Sequence, residues 1–139
     1  MISRYLLDTS VLARMNQPAV ADRVVPLIDA GLVGICAVLD LEALFGARSA
    51  ADYEEIRTDR QRAYEYLPID DEQWQRALEV QRALAGRGQL RAVGIGDLVI
   101  AATAEHHGVA LIHYDGDFDH IVAITGQAAR WVVARGSVS

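Results

Sequence analysis

Four carboxylates of this chain are set in or against apolar runs, where water-facing acids are uncommon. Asp8 lies between Tyr5-Leu6-Leu7 and Thr9-Ser10-Val11-Leu12, and Glu42 lies inside Ala37-Val38-Leu39-Asp40-Leu41-Glu42-Ala43-Leu44-Phe45. Asp97 precedes Leu98-Val99-Ile100-Ala101-Ala102, and Asp115 closes Val109-Ala110-Leu111-Ile112-His113-Tyr114. A carboxylate withdrawn from water is costly unless a cation or hydrogen bonds compensate it. Four such groups from four distant segments predict convergence on a bound divalent metal.

The elements that must position them follow from periodicity and punctuation. Residues 2–7 read as a strand, and Thr9 or Ser10 can cap a helix running on through Val11, Leu12 and Met15. Pro18 suits the first turn of a second helix with Val20, Val24, Leu27 and Ile28 on one face. A short strand is expected near Val33-Gly34-Ile35, then a helix over about 37–48 and a polar one over about 50–66. Leu67-Pro68-Ile69 looks like a strand, and Asp70 or Asp71 caps an amphipathic helix with Trp74, Leu78, Gln81 and Ala85 inward. After a glycine- and arginine-containing loop, 86–94, the helix over about 96–107 is almost wholly apolar and should be central. Gly108 ends it, and Val109–Tyr114 and Ala129–Ala134 are the remaining strands. This alternation predicts a parallel α/β sheet with helices on both faces, in one domain.

In such sheets, sites form at the carboxyl ends of strands, where Asp8 and Asp115 fall. Asp97 opens the central helix. Glu42 shares a helical stripe with Val38, Leu39 and Phe45, and Asp40 points roughly 200° away, so Glu42 is expected inward and Asp40 outward. Each aspartate also has a purely structural explanation: a cap for Asp8, the helix dipole for Asp97, a turn for Asp115-Gly116. Glu42 has the least structural reason to stand on an apolar stripe.

Several chemistries are disfavoured. All thirteen basic residues are arginine, so there is no lysine for a P-loop, a Schiff base or a kinase-type phosphate contact. No Gly-x-Ser-x-Gly elbow is present, and Gly94-Ile95-Gly96 is too short for a dinucleotide fingerprint. His106 and His107 suit a helix C-terminus, His113 and His120 lack a nucleophile pattern, and Trp74 and Trp131 read as core. Cys36, the single cysteine, cannot form an internal disulfide and reads as a small buried hydrophobe. The chain is 52% hydrophobic, with no run of the roughly 18 apolar residues a membrane helix needs and no signal-peptide layout, so a cytoplasmic protein without membrane contact is expected. Its net charge of −6 means that a nucleic acid would have to be held by local arginines and metal ions rather than by the overall field.

At this point the chain resembles PIN-domain ribonucleases, and specifically VapC-type toxins of type II toxin–antitoxin systems. Tyr5-Leu6-Leu7-Asp8-Thr9-Ser10-Val11-Leu12 is similar to the family's opening strand and first acid, and Leu41-Glu42-Ala43-Leu44-Phe45-Gly46 to the segment with its glutamate. Gly94-Ile95-Gly96-Asp97-Leu98-Val99-Ile100-Ala101-Ala102-Thr103-Ala104 is similar to the third acidic motif, and Leu111-Ile112-His113-Tyr114-Asp115-Gly116-Asp117-Phe118-Asp119-His120-Ile121 to the closing one. Two positions depart from the pattern: Val38 stands where Ser or Thr is frequent one turn before the glutamate, and Tyr114 stands where smaller or polar residues are frequent.

The resemblance implies a single PIN domain over 1–139, with a three-layer α/β/α fold whose central, mainly parallel sheet has four or five short strands. It implies an endoribonuclease in which Asp8, Glu42, Asp97 and Asp115 carry catalysis. Asp8, Asp97 and Asp115 would hold Mg2+ or Mn2+, hard ions suited to oxygen ligands, and Glu42 would hold a second ion or orient a water. Asp117 would be an outer or alternate ligand, and Thr9 and Ser10 would support the ligands. Water activated by the metal would cut the phosphodiester, leaving a 5′-phosphate and a 3′-hydroxyl. Arg87 and Arg91 are candidates for the RNA backbone. The expected partners are RNA, a cognate VapB-type antitoxin and a second copy in a homodimer. Two other readings stay open: a non-catalytic metal-binding interaction module, and a phosphoacceptor signalling domain, which the missing lysine disfavours.

Overall fold

The computed structural model describes all residues from Met1 to Ser139. Its strands are β1 (Tyr5–Leu7), β2 (Val33–Ile35), β3 (Glu65–Tyr66), β4 (Ala110–His113) and β5 (Ala129–Trp131). Its helices are α1 (Thr9–Leu12), α2 (Pro18–Asp29), α3 (Ala37–Phe45), α4 (Ala50–Ala63), α5 (Asp71–Gly86), α6 (Ile95–His107) and α7 (Asp117–Thr125). The five strands form one wholly parallel sheet in the order β3-β2-β1-β4-β5. Helices cover both faces, as the alternation of elements predicts. No helix is long and apolar enough to cross a membrane.

The two central strands carry the core in both directions. Side chains alternate faces along a strand, so Leu6 and Leu7 of β1, like Leu111 and Ile112 of β4, enter different clusters. One cluster joins Leu6 and Leu111 to Leu39, Val80, Leu84, Ile100 and Phe118 beneath α3, α5, α6 and α7. The other joins Leu7 and Ile112 to Val11, Val20 and Val24 of α1 and α2. Helix α6 is buried without a break from Leu98 to Ala104, which makes it the expected central helix. It ends at Gly108, whose φ of 68° is left-handed and suits glycine. At Gly34 of β2 a Cβ would stand 2.6 Å from Leu67 Cδ1, so only glycine lets this strand meet the buried Leu67.

Three sequence expectations need correction. The third strand is Glu65–Tyr66, one step before Leu67-Pro68-Ile69, because proline has no N–H to give to the ladder while Leu67 N still donates to Ile35 O at 2.7 Å. The inner face of α5 is Gln73, Ala77, Val80 and Leu84 rather than Trp74, Leu78, Gln81 and Ala85, a rotation of one residue, or about 100°. Trp74 is accordingly not core but 48% exposed. Helix α7, to which the sequence pattern assigned no element, is built on the buried Phe118 and Ile121 and carries Asp117 and Asp119 in its first turn.

The strand order places the site. The chain runs from β1 out to β3 on one side, then returns to build β4 and β5 on the other, so the direction reverses between β1 and β4. The carboxyl ends of parallel strands at such a reversal leave a crevice. Leu7 pairs with Ile112 there, and Asp8 N donates to Ile112 O at 2.9 Å.

Candidate functional site

The crevice collects acids from four segments. Asp8 leaves β1 and caps α1: its Oδ2 accepts from Ser10 N at 2.9 Å, and the residue is only 4% exposed. Asp115 leaves β4, its N–H donating to His113 Nδ1 at 3.3 Å. Its Oδ1 accepts from Asp117 N at 2.9 Å, which turns the chain into α7. Asp97 stands in the first turn of α6, where Gly94 provides no side-chain cap. Carboxylate oxygens of Asp97, Asp115 and Asp117 all lie within 4.8 Å of one another. The sequence ranked Asp117 below Asp115; in space both belong to the same cluster, while Asp8 lies outside this tightest group.

Glu42 approaches from α3. Thr9 Oγ1 donates to its Oε1 at 3.0 Å, and its Oε2 lies 3.6 Å from the position of a Cβ on Gly96, beside Asp97. Hydroxyl support, absent at Val38 of its own helix, thus comes across the crevice from α1. The expectation that Glu42 points inward needs amending: the residue is exposed on the lip of the crevice, and Phe45 of its stripe is 94% exposed. Asp40 is the less exposed of the pair and receives Arg60 Nε at 2.7 Å, tying α3 to α4. Glu42 has no arginine partner.

Electrostatics mark the cluster. Asp97 is pushed up to about 7, first by burial and then by the charges of Asp8, Asp115, Glu42 and Asp117. Burial raises Glu42 too, with Asp8 adding to it and the Thr9 hydrogen bond opposing. Asp117 is raised by burial and by Asp115, against the opposing His120. Burial lowers His113, so the imidazole that receives the Asp115 N–H is kept neutral. Arginines elsewhere pair with Glu54, Asp40, Glu79, Glu105 and Asp119, but none reaches these five acids. Mutually repelling, cation-free oxygen ligands are the donor set of a hard divalent ion, and the geometry fits one.

The other sequence candidates fall elsewhere. Arg87 and Arg91 are exposed and make no side-chain bond. His107 Nε2 contacts Pro68 O at 2.8 Å and His106 Nδ1 lies 3.5 Å from Glu72, both ties to the start of α5. Cys36 is buried, as expected. Trp131 is half-buried, its ring 5.1 Å from that of His113 and 5.4 Å from that of Tyr114. The sequence reading missed Arg14, whose only trace there is its place one helical turn after Ser10.

Comparison with known proteins places the chain in a family and confirms its fold. The family model described as PIN domain matches residues 5–124. Ribonuclease VapC21 of Mycobacterium tuberculosis is 48% identical over 137 residues, covering 99% of both chains. Ribonuclease VapC51 of the same organism is 41% identical over 138 residues, again with 99% of each covered. Among solved structures, a DNA-bound VapBC complex from Salmonella typhimurium superposes with a TM-score of 0.74 at 19% identity, over 94% of this chain and 99% of that one. At that identity the likeness speaks for the fold alone.

Proposed function

Since the chain belongs to the PIN-domain family, we propose that it is a divalent-metal-dependent endoribonuclease and the toxin of a toxin–antitoxin pair. One observation carries the metal-dependent chemistry: carboxylates from four segments meet at the strand-reversal crevice with no arginine paired to them, and burial together with their charges lifts Asp97 to about 7. Relatives named as ribonucleases, at 48% and 41% identity over nearly the full length, supply the substrate class. The sheet draws on strands from Tyr5 to Trp131, which supports one PIN domain over the whole chain.

Asp97, Asp115 and Asp117 would hold Mg2+ or Mn2+, with Asp8 and Glu42 on the flanks. A divalent ion there supplies Lewis-acid activation of water and charge neutralisation at the phosphate. The remaining roles belong to the protein. Ser10 N–H fixes Asp8, Asp117 N–H fixes Asp115, and the Thr9 hydroxyl aims Glu42, so the acids are oriented before substrate arrives. Asp97 must shed its proton to act as a ligand, and a cation favours that loss. Glu42, on the lip, is placed to orient water or a second ion.

The partners follow from the same premise: RNA as substrate, a VapB-type antitoxin whose basic segment complements a chain of net charge −6, and a second copy of the toxin, in the cytoplasm. The test is cleavage of RNA with Mn2+, with EDTA, and by Asp8→Asn, which keeps a good N-cap. Cleavage should vanish in EDTA and fall by about 100-fold or more in the variant. Cleavage surviving both would remove the acid cluster from the chemistry, and RNA binding without cleavage would leave an interaction module.

A further inference from the structure

Of the thirteen arginines, Arg14, Arg60 and Arg76 are the three that are not exposed. Arg60 meets Asp40 and Arg76 meets Glu105, each at 2.7 Å. Arg14 has no carboxylate within 4.0 Å. Its guanidinium is nonetheless fixed. Nη1 donates to Ser10 O at 2.7 Å, the group lies 4.7 Å from the centroid of the Tyr114 ring, and Nε is buried without a hydrogen-bond partner. A half-buried, uncompensated guanidinium already held in place has little ordering cost left to meet on binding an anion.

Arg14 lines a cleft of about 530 Å3 that also takes in Ser10, Tyr114, Asp115, Gly116 and Arg135, directly beside the acid cluster. Nη2 of Arg135 stands 3.1 Å from the position of a Cβ on Gly116, so this second guanidinium hangs over the backbone just after Asp115. Its carboxylate neighbour, Asp119, is 3.9 Å away with both side chains well exposed, a weak pair that a phosphate can displace. Two arginines therefore line one cleft together with Asp115, in a chain whose overall charge repels RNA.

We propose that Arg14 and Arg135 form a phosphate subsite that grips the RNA backbone at a phosphodiester neighbouring the one that is cut. The proposal rests on the ribonuclease reading and locates how an acidic enzyme holds an anionic chain: the arginines carry the neighbouring phosphate, and the acid cluster with its ion carries the reacting one.

The experiment compares the parent with Arg14→Met, Arg135→Met and, as a control for net charge, Arg62→Met, an exposed arginine of α4 outside the cleft. The probe is a short labelled RNA of random sequence in Mn2+. Each cleft variant should raise KM by roughly fivefold to tenfold with kcat little changed, and lower the salt slope of binding by about 0.7. Arg62→Met should match the parent. Parent-like KM in both cleft variants, or an equal rise in Arg62→Met, overturns the subsite while leaving the nuclease reading intact. If Arg14→Met fails to fold, Arg135→Met, a change at an exposed side chain, decides alone. If the parent binds this RNA without cutting it, the nuclease reading falls, and the same variants compared by Kd still judge the subsite. If the parent neither binds nor cuts, both fall.

Discussion

Asp97 is the residue through which the crevice stores its tension. Its ordinary value is 3.8 and the folded value is about 7, so the folded state keeps a proton that the unfolded chain gives up. Between those values, raising the pH strips the unfolded chain first, and the folded state loses stability with each step. Metal-free protein should therefore melt at lower temperature at pH 8 than at pH 6, and Asp97→Asn should flatten the slope. A parent melting temperature that climbs over this window while the variant's stays level would contradict the raised Asp97 value. The four sequence acids were legible because apolar neighbours make a carboxylate conspicuous. Asp117 was less so, since an acid two places after Asp115 reads as turn chemistry until α7 brings its oxygen back toward Asp97. Arg14 was illegible: nothing in a sequence tells a tethered guanidinium from a solvated one.

Elements position these residues through capping and phase. Asp8 is at once the cap of a helix of only four residues, α1, and a wall of the crevice, so a structural role and a chemical one coincide in one carboxylate. On α5 the apolar pattern admits two phases, because Trp74 and Leu78 compete with Ala77, Val80 and Leu84 for the inner face. Packing puts Ala77, Val80 and Leu84 in one core cluster with Leu98 and Ile100 of α6 and leaves Trp74 and Leu78 about half exposed. Leu84→Ala, at a fully buried position, should cost about 2–5 kcal/mol in chemical denaturation, whereas Trp74→Ala should cost far less. The reverse ranking would restore the phase read from sequence. Helix α3 shows the same limit: Val38 and Leu39 of its stripe pack on the core, but Glu42 and Phe45 of the same stripe are exposed.

For the whole molecule, the proposed ion would bind only the folded protein, because its acids come from segments far apart in the chain. A ligand that binds only the folded state stabilises it, by about 2.7 kcal/mol at a hundred times its Kd. Mn2+ should raise the thermal midpoint of the parent, EDTA should reverse the rise, and Asp97→Asn should lack it. An unchanged midpoint across a wide Mn2+ titration would speak against a built ion site. By itself the sequence determined the alternation of strands and helices and the central place of α6, and it singled out four of the five clustered acids, since hydropathic period and composition are local properties that chain order already carries. Only the tertiary structure decided that β1 and β4 lie side by side at the reversal, that Thr9 reaches Glu42 across it, that Asp40 takes Arg60, and that Arg14 lines the cleft without a carboxylate partner. Those are contacts between segments far apart in the chain, and their distances are set by how two layers of helix close over one sheet.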